Sequence, residues 1–205
     1  MNTGIRATSL TLRDLVTQKL RSDVNLRNFF DPALGGAMVV SLLAPEDLEA
    51  AGHEGVCLWL YRIERDDQTL NQPRRATRDG VVNRPLPLRV HYLTVPVIDI
   101  QHRTDGPELE QNILGAVLQT FHDHATLRGA DLQGDLAGSS QEIHVRLESL
   151  DLDQTSRMWE ALNHAFQLCI SYEVAVVPID SVLEPFPAPR VDVVVPEYGL
   201  ATELA

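Results

Sequence analysis

Three segments repeat apolar residues every three or four positions, which is the spacing of an amphipathic helix. This pattern predicts helices over residues 11–24, 107–124 and 152–165. Thr11 is the predicted cap of the first helix, with Asp14 three positions later. In each helix the apolar residues form one stripe, so each helix is expected to pack against an apolar surface of the fold.

Five further segments alternate apolar and other residues, or run apolar for several positions, which is typical of strands. They lie at residues 37–44, 56–63, 86–95, 142–149 and 168–177. Helical stripes need an apolar sheet face to cover them. We therefore predict an α+β fold: a single mixed sheet of about five strands with helices packed on it. Pro85 and Pro87 lack an N–H, which predicts that this end of the third strand is an edge or lies outside the sheet.

The last helix and the last strand follow each other with almost no turn between them. Trp159, Leu162 and Phe166 continue the helical spacing, and alternation begins at Leu168. The sequence thus predicts a tight helix-to-strand join and a stiff subunit. Glu173 stands in the middle of that strand. It could be a general base with a raised pKa, but a structural residue facing solvent or a neighbour is the preferred interpretation.

Connecting segments differ in character. Residues 46–55 and 128–141 are expected to be a polar loop and a glycine-rich loop. Residues 64–83 are charged and without periodicity, which predicts a loop that is mobile alone and ordered by a partner. This loop contains an arginine cluster, for which a solvated loop is the plain alternative. We take the cluster and the arginine that follows it as candidate interface residues: Arg74, Arg75, Arg78 and Arg84.

Composition changes near residue 182. We therefore divide the chain into a domain over residues 1–182 and a proline-rich C-terminal arm over residues 183–205. Val191, Val193 and Val195 alternate in the arm, which predicts one short strand. A lone strand stays extended only when it adds to a sheet edge. That edge could belong to its own domain; we favour the edge of a partner chain.

The net charge and the hydropathy of the chain limit the partners and the location that are expected for it. The 205 residues carry 17 basic and 29 acidic side chains, a net charge of −12. Nucleic-acid binding normally needs a basic face, so no nucleic-acid partner is expected. No apolar run approaches the length of a membrane span, and the N-terminus lacks the apolar core of a secretory signal. The expected location during assembly is the cytoplasm, with no membrane partner.

No motif for catalysis, a cofactor or a metal stands out. Phosphate-binding glycine loops, GxGxxG and GxSxG are absent from the sequence. His122 and His124 are two positions apart on a helix, so they point to different sides and do not suit one metal. Cys57 and Cys169 lie in strand-like runs and are interpreted as packing residues. We therefore predict a protein that is not an enzyme, without cofactor or metal.

Three stretches together resemble a known family. They are VCLWLYRIERDDQTLNQ, with Leu60-Tyr61 and Asn71; RPLPLRVHYLTV, with Arg84-Pro85 and Tyr92-Leu93; and SRMWEALNHAFQLCISYEVAVVPID, with Trp159 and Tyr172. In this order they resemble the N-terminal domain of the cap, or tail-terminator, proteins of contractile injection systems. These phage-tail-like particles include the antifeeding prophage and the Photorhabdus virulence cassettes. The resemblance covers roughly residues 10–182.

The resemblance implies a structural role. A homo-hexameric ring would terminate the inner tube and sheath at the end far from the baseplate. Its partners would be the tube and sheath proteins, and its final location would be the injection particle. The partner edge for the arm would then belong to the next copy in the ring or to a sheath subunit. Two other hypotheses remain open at this point. One is a monomeric adaptor that binds a peptide or effector by strand addition along the proline-edged strand. The other is a small hydrolase whose site is not visible in the sequence.

Overall fold

The computed structural model describes residues 3–69, 75–77, 80–99 and 105–184. The helices are α1 Gly4–Ser22, α2 Arg27–Phe30, α3 Pro45–Ala50, α4 Gly106–Asp123 and α5 Leu152–Ala161. The strands are β1 Val39–Ser41, β2 Gly55–Arg65, β3 Arg75–Thr77, β4 Gly80–Val82, β5 Leu86–Val97, β6 Thr126–Arg128, β7 Glu142–Glu148 and β8 Ile170–Ile179.

Six strands form one mixed sheet in the order β1-β2-β5-β8-β7-β6. β1 runs parallel to β2, and the other neighbours are antiparallel. All five segments that the alternation identified lie in this sheet, so the predicted α+β fold is confirmed. β6 is a sixth strand that the sequence pattern did not indicate. β3 and β4 pair only with each other, as a small separate hairpin.

One face of the sheet is covered by α1 and α4, which form the main core with it. Phe121 of α4 meets Tyr172 of β8 edge to face, with ring centroids 4.7 Å apart. The hydroxyl of Tyr92, buried under α1, lies 2.7 Å from Oγ of Ser9. The buried stripe of each helix falls where the apolar spacing put it. These stripe residues are Leu12, Val16 and Leu20 of α1, and Leu109, Ile113, Val117 and Phe121 of α4.

The opposite face of the sheet has a second, smaller apolar cluster beneath α3 and α5. Leu48 of α3 and Trp159 of α5 pack there on Cys57 and other residues of β2 and β5. Burial, and then the charge of Asp47, raises the pKa of the Cys57 thiol to about 12. The thiol therefore stays protonated at neutral pH, as a packing residue does.

The first helix begins earlier than its apolar stripe suggested. α1 starts at Gly4, and Thr11 lies inside the helix rather than at its cap. Its hydroxyl donates to the Ala7 carbonyl at 2.8 Å and accepts from the Gln133 amide at 2.9 Å. Buried hydroxyls that bond one turn back fill the start of α1, so the local pattern looked polar although the segment is helical.

Two segments expected to be loops contain secondary structure. α3 occupies part of residues 46–55, because Pro45 suits a first helical turn and Leu48 is 1% exposed. β6 and two short 3-10 turns occupy much of residues 128–141. Leu132 and Leu136 are buried there against the main core. One buried leucine anchors the first segment and two anchor the second, which is too few to create a periodic signal.

The proline-rich end of the third strand was predicted to be an edge or to lie outside the sheet; Pro85 does lie before β5, and Pro87 lies within β5 but beyond its last pair with β2. β5 lies between β2 and β8. Pro87 stands opposite Pro178 of β8, and its carbonyl accepts a hydrogen bond from the Asp66 amide at 2.9 Å. Pro87 therefore faces the point where β2 ends, and the N–H it lacks removes no bond from the middle of the ladder.

The prediction of a tight helix-to-strand join was wrong. α5 ends at Ala161, and Asn163 adopts a left-handed conformation with φ 52°. Residues 162–169 then connect α5 to β8 through a turn at 162–163 and a stretch without helix or strand. Phe166 and Leu168 are 57% and 46% exposed and belong to neither buried stripe. Asparagine tolerates the left-handed region, which is why the helix stops there although the apolar spacing continues.

The structure describes only parts of the charged segment and of the arm. Within residues 64–83 the structure contains the end of β2, a 3-10 turn at Asp67–Thr69, and the β3–β4 hairpin. The segment therefore has more secondary structure than its irregular pattern indicated. The predicted strand at residues 191–195 lies outside the described residues, and so does most of the arm.

Candidate functional site

A polar cluster occupies the part of the second face that α3 and α5 do not cover. Four strands contribute to it, because polar residues take the alternate positions that point away from the main core. We call this set the polar network: Tyr61 of β2, His91 of β5, Glu148 of β7 and Ser171 of β8.

Glu148 is the centre of the polar network. One of its oxygens, Oε2, accepts from the hydroxyls of Tyr61 at 3.1 Å and Ser171 at 2.8 Å. The same oxygen lies 3.0 Å from Nδ1 of His91, whose side chain is 3% exposed. The network thereby joins four neighbouring strands through one carboxylate, which makes this part of the sheet rigid.

A row of charged side chains runs across the sheet beside the polar network. Arg62, His91, Glu173 and Arg146 stand opposite one another on successive strands. Nε2 of His91 lies 3.4 Å from Oε2 of Glu64, and the other carboxylate oxygen of Glu64, Oε1, bonds Arg62. Within this row Arg146 directly faces Glu173, and opposite charges on facing positions stabilise neighbouring strands.

Glu173 belongs to this row and forms ion pairs within its own chain, whereas the sequence predicted a side chain that faces solvent or a neighbour. Its side chain is 15% exposed, and its oxygens lie 2.5 Å from Nη2 of Arg146 and 3.9 Å from Nη1 of Arg89. Arg89 in turn pairs with the buried Asp66 at 2.8 Å. Two arginines of its own domain thus lie beside the Glu173 carboxyl, which suits a structural role.

The arrangement is poorly suited to nucleophilic catalysis. The Ser171 hydroxyl donates to Oε2 of Glu148, and Nδ1 of His91 lies within hydrogen-bond distance of the same oxygen. A serine nucleophile needs a base within hydrogen-bond reach of its own hydroxyl, and that base is usually a histidine. Here the carboxylate lies between the serine and the histidine. The polar network is better described as a brace between strands.

The pKa of the Glu148 carboxyl is the property of the polar network that can be measured most directly. Burial alone would raise this pKa, but hydrogen bonds from His91, Ser171 and Tyr61 outweigh burial and hold it below its usual range. A carboxyl with a depressed folded-state pKa stabilises the fold above its unfolded pKa of about 4.3. That stabilisation is lost as the pH falls through the folded-state value.

We therefore expect E148Q to remove part of the acid sensitivity of the protein. The difference in free energy of unfolding between wild type and E148Q should be largest near neutral pH and shrink as the pH falls below about 4.3. Urea unfolding at a series of pH values measures it. E142Q, which changes an exposed glutamate on the same strand, is the control. Equal pH profiles for wild type and E148Q would contradict the expectation.

The residues predicted from the sequence as interface residues are not part of the polar network. Arg75 begins β3, and Arg84 is exposed just before β5. The other predicted residues lie outside the described part of the chain: Arg74, Arg78, Val191, Val193 and Val195. Their role in assembly stays a prediction.

The polar network was missed because each of its members looked like an ordinary polar position in a half-exposed strand. A signal was nevertheless present in three strands. Arg89 and His91, Arg146 and Glu148, and Ser171 and Glu173 each occupy alternate positions among apolar residues. The same face of each strand is therefore polar. What the sequence lacked was the register that places these pairs side by side.

Metal binding and membrane crossing find no structural basis in the described residues. Among them, no group of three or more His, Cys, Asp or Glu side chains is arranged to hold a metal ion. His122 and His124, at the end of α4, are both exposed. In the same residues, none of the helices combines the length and apolar character that crossing a bilayer requires.

Similar folds occur in two solved structures. The sheath/tube terminator of an extracellular contractile injection system, PVC, in its extended state, matches 98% of this chain with a TM-score of 0.64 and 16% identity. The tube-terminating cap of the anti-feeding prophage matches 88% of the chain with a TM-score of 0.53 and 15% identity. The matched parts are 65% and 62% of those longer chains.

Sequence comparison gives one match at the level of a family. No curated protein is similar enough in sequence to count as a relative. The sequence pattern of the Pvc16 N-terminal domain does match, over residues 7–192. That match spans the sheet, the helices on both of its faces and the polar network. The chain therefore belongs to the Pvc16 N-terminal domain family.

Proposed function

We propose that this protein is a structural cap of a phage-tail-like contractile injection particle. It would terminate the inner tube and sheath at the end far from the baseplate, as a homo-hexameric ring. It would assemble in the cytoplasm and become part of the particle. The observation that carries the proposal is the match of 98% of the chain to the fold of a sheath/tube terminator, together with family membership over residues 7–192.

The architecture of the domain suits such a role. Cyclic closure tolerates little angular error between subunits, so a ring needs a stiff building block. Stiffness here does not come from a short join between α5 and β8. It comes from the sheet, which helices cover on one face and the polar network and its charged row brace on the other.

The alternative of a peptide-binding adaptor loses its predicted site. Strand addition was expected along the proline-edged strand, but β5 pairs with β2 on one side and with β8 on the other over most of its length, so an added strand would find room only at its ends. The alternative of a hydrolase finds little support in the polar network, where the Ser171 hydroxyl donates to the Glu148 carboxylate and not to a histidine. A non-enzymatic role is therefore the better proposal.

The test is the length and closure of particles assembled with and without this chain. Particles produced from the full set of genes should have tubes of uniform length that end in a ring, as electron microscopy would show. Omitting this chain should broaden the length distribution and leave open ends. Adding it back from a second plasmid is the control. Uniform, closed tubes in its absence would overturn the proposal.

A further inference from the structure

The outer edge of the sheet at β7 is only half covered. β6 pairs with residues 142–144 of β7, and the pairing ends where the Ala125 carbonyl accepts from the Val145 amide at 2.9 Å. Within the described residues, no strand continues this ladder along the last part of β7. An open strand edge is a site where another chain can add a strand.

The open edge is centred on Leu147. Backbone groups of alternate residues point to the same side of a strand in an antiparallel ladder. Since the Val145 N–H points towards β6, the N–H and C=O of Leu147 point outward too. No hydrogen bond to them is found among the described residues. They can pair with the backbone of an added strand.

A groove lies beside the open edge, on the face that carries α4. Its volume is about 460 Å³, and it is lined mainly by Leu118, Phe121, Val145, Leu147 and Tyr172. The Leu147 side chain is 55% exposed at its rim. The groove offers apolar contacts to a strand whose apolar side chains point towards α4.

The other face of the same edge is charged. The Arg146 side chain is 67% exposed and bonds Glu173 with one of its nitrogens. It stands one position before Leu147, so it points to the opposite face. A strand added here would have apolar residues on one face and an acidic residue on the other.

We infer that this edge accepts the C-terminal arm of a second copy of this chain, with residues 191–195 as the added strand. Val191, Val193 and Val195 share one face and fit the groove. Asp192 falls on the opposite face, where it can approach Arg146. The arm is thus complementary to this edge in pattern and in charge. The inference rests on the self-association in the proposed function and names the contact between copies.

A second copy is favoured over the same chain by the direction of the arm. β8 ends at Ile179, whereas Leu147 stands opposite Tyr172, seven residues earlier in β8. An arm that bound its own β7 would have to double back over roughly 24 Å of the sheet. Pro185, Pro187 and Pro189 predict a stiff, extended spacer before residues 191–195. Such a spacer would place residues 191–195 away from their own domain.

Crosslinking of the full-length chain tests the inference. L147C chains and V193C chains of different tag length, both in a C169S background, are mixed under assembly conditions and treated with a short bismaleimide. A covalent heterodimer of the two chains is expected. I63C in place of L147C is the matched control, because Ile63 is similarly exposed, at 50%, on another strand.

Two results would overturn the inference. One is a heterodimer yield no higher than with I63C; the other is an internally linked monomer as the main product of the L147C/V193C double variant. A second measurement does not depend on cysteine geometry. L147E should weaken self-association by tenfold or more in sedimentation experiments at unchanged Tm, whereas I63E should not. Equal self-association of both would count against the inference.

Failure of this inference and failure of the proposed function give different results. Particles that are closed normally by L147E chains would overturn the docking of the arm and leave the cap role in place. Specific crosslinking, together with particles that stay uniform and closed when the chain is omitted, would support the docking of the arm and overturn the cap role.

Discussion

Replacing Gly55 by alanine should destabilise the protein by about 4 kcal/mol or more, the largest effect expected for any single methyl group here. Gly55 has φ +149°, and an added Cβ would lie 1.9 Å from the Val39 carbonyl oxygen. Gly55 and Val39 are partners in the parallel pair that joins β1 to β2. The obstructing atoms are backbone, so the clash can be relieved only by separating the two strands.

Thermal unfolding and urea unfolding both measure the effect. A loss of this size should lower the Tm by roughly 8–16 °C for a domain of this length. G115A is the matched control, because Gly115 lies in the middle of α4 with nothing within 4 Å of an added Cβ. It should be neutral or stabilise by up to about 1 kcal/mol. Similar stability for the two variants would contradict the close approach at Gly55.

W159A should cost about 3–5 kcal/mol, the usual range for removing a fully buried aromatic side chain. Trp159 is 2% exposed and is the largest member of the cluster between α5 and the second face of the sheet. Without it, Leu93 and Val95 of β5 lose the side chain that covers them. We expect W159A to lower the free energy of unfolding and to reduce the protection of α5 from hydrogen exchange.

F166A is the control for this experiment. Phe166 appeared in the sequence to continue the stripe of Trp159, but it lies beyond the end of α5 and is 57% exposed. Its truncation should change stability by less than about 0.5 kcal/mol. Equal costs for W159A and F166A would mean that the helix continues to Phe166 and that the connection at residues 162–169 is wrong.

Apolar periodicity alone was enough to predict the main elements of the fold. Alternation located five of the six strands of the main sheet, and helical spacing located α4 within one residue at each end. These segments are long, and each buries one continuous face, so their patterns are strong. Helix ends were less well predicted, because α1 begins with buried hydroxyls and α5 is stopped by Asn163.

The candidate site was much harder to predict than the fold. Glu173 attracted attention because it is charged in an apolar strand, but its partners Arg146 and Arg89 are on other strands. Glu148 looked like the polar end of a short strand, yet it is the centre of the polar network. A polar residue in a strand has the same local pattern whether it meets water or a partner. Only its neighbours across the sheet distinguish the two cases.

The order of residues along the chain was sufficient for the α+β class, the strands and the apolar stripes, because these depend on periodicity within a segment. It was sufficient also for the ordered motifs that pointed to a cap protein family. The tertiary structure decided what depends on pairing between distant segments. The central place of β5, the close approach of Gly55 to Val39, the polar network and the open edge of β7 all follow from strand order and register. Those contacts join residues far apart in sequence, and no local pattern encodes which of them meet.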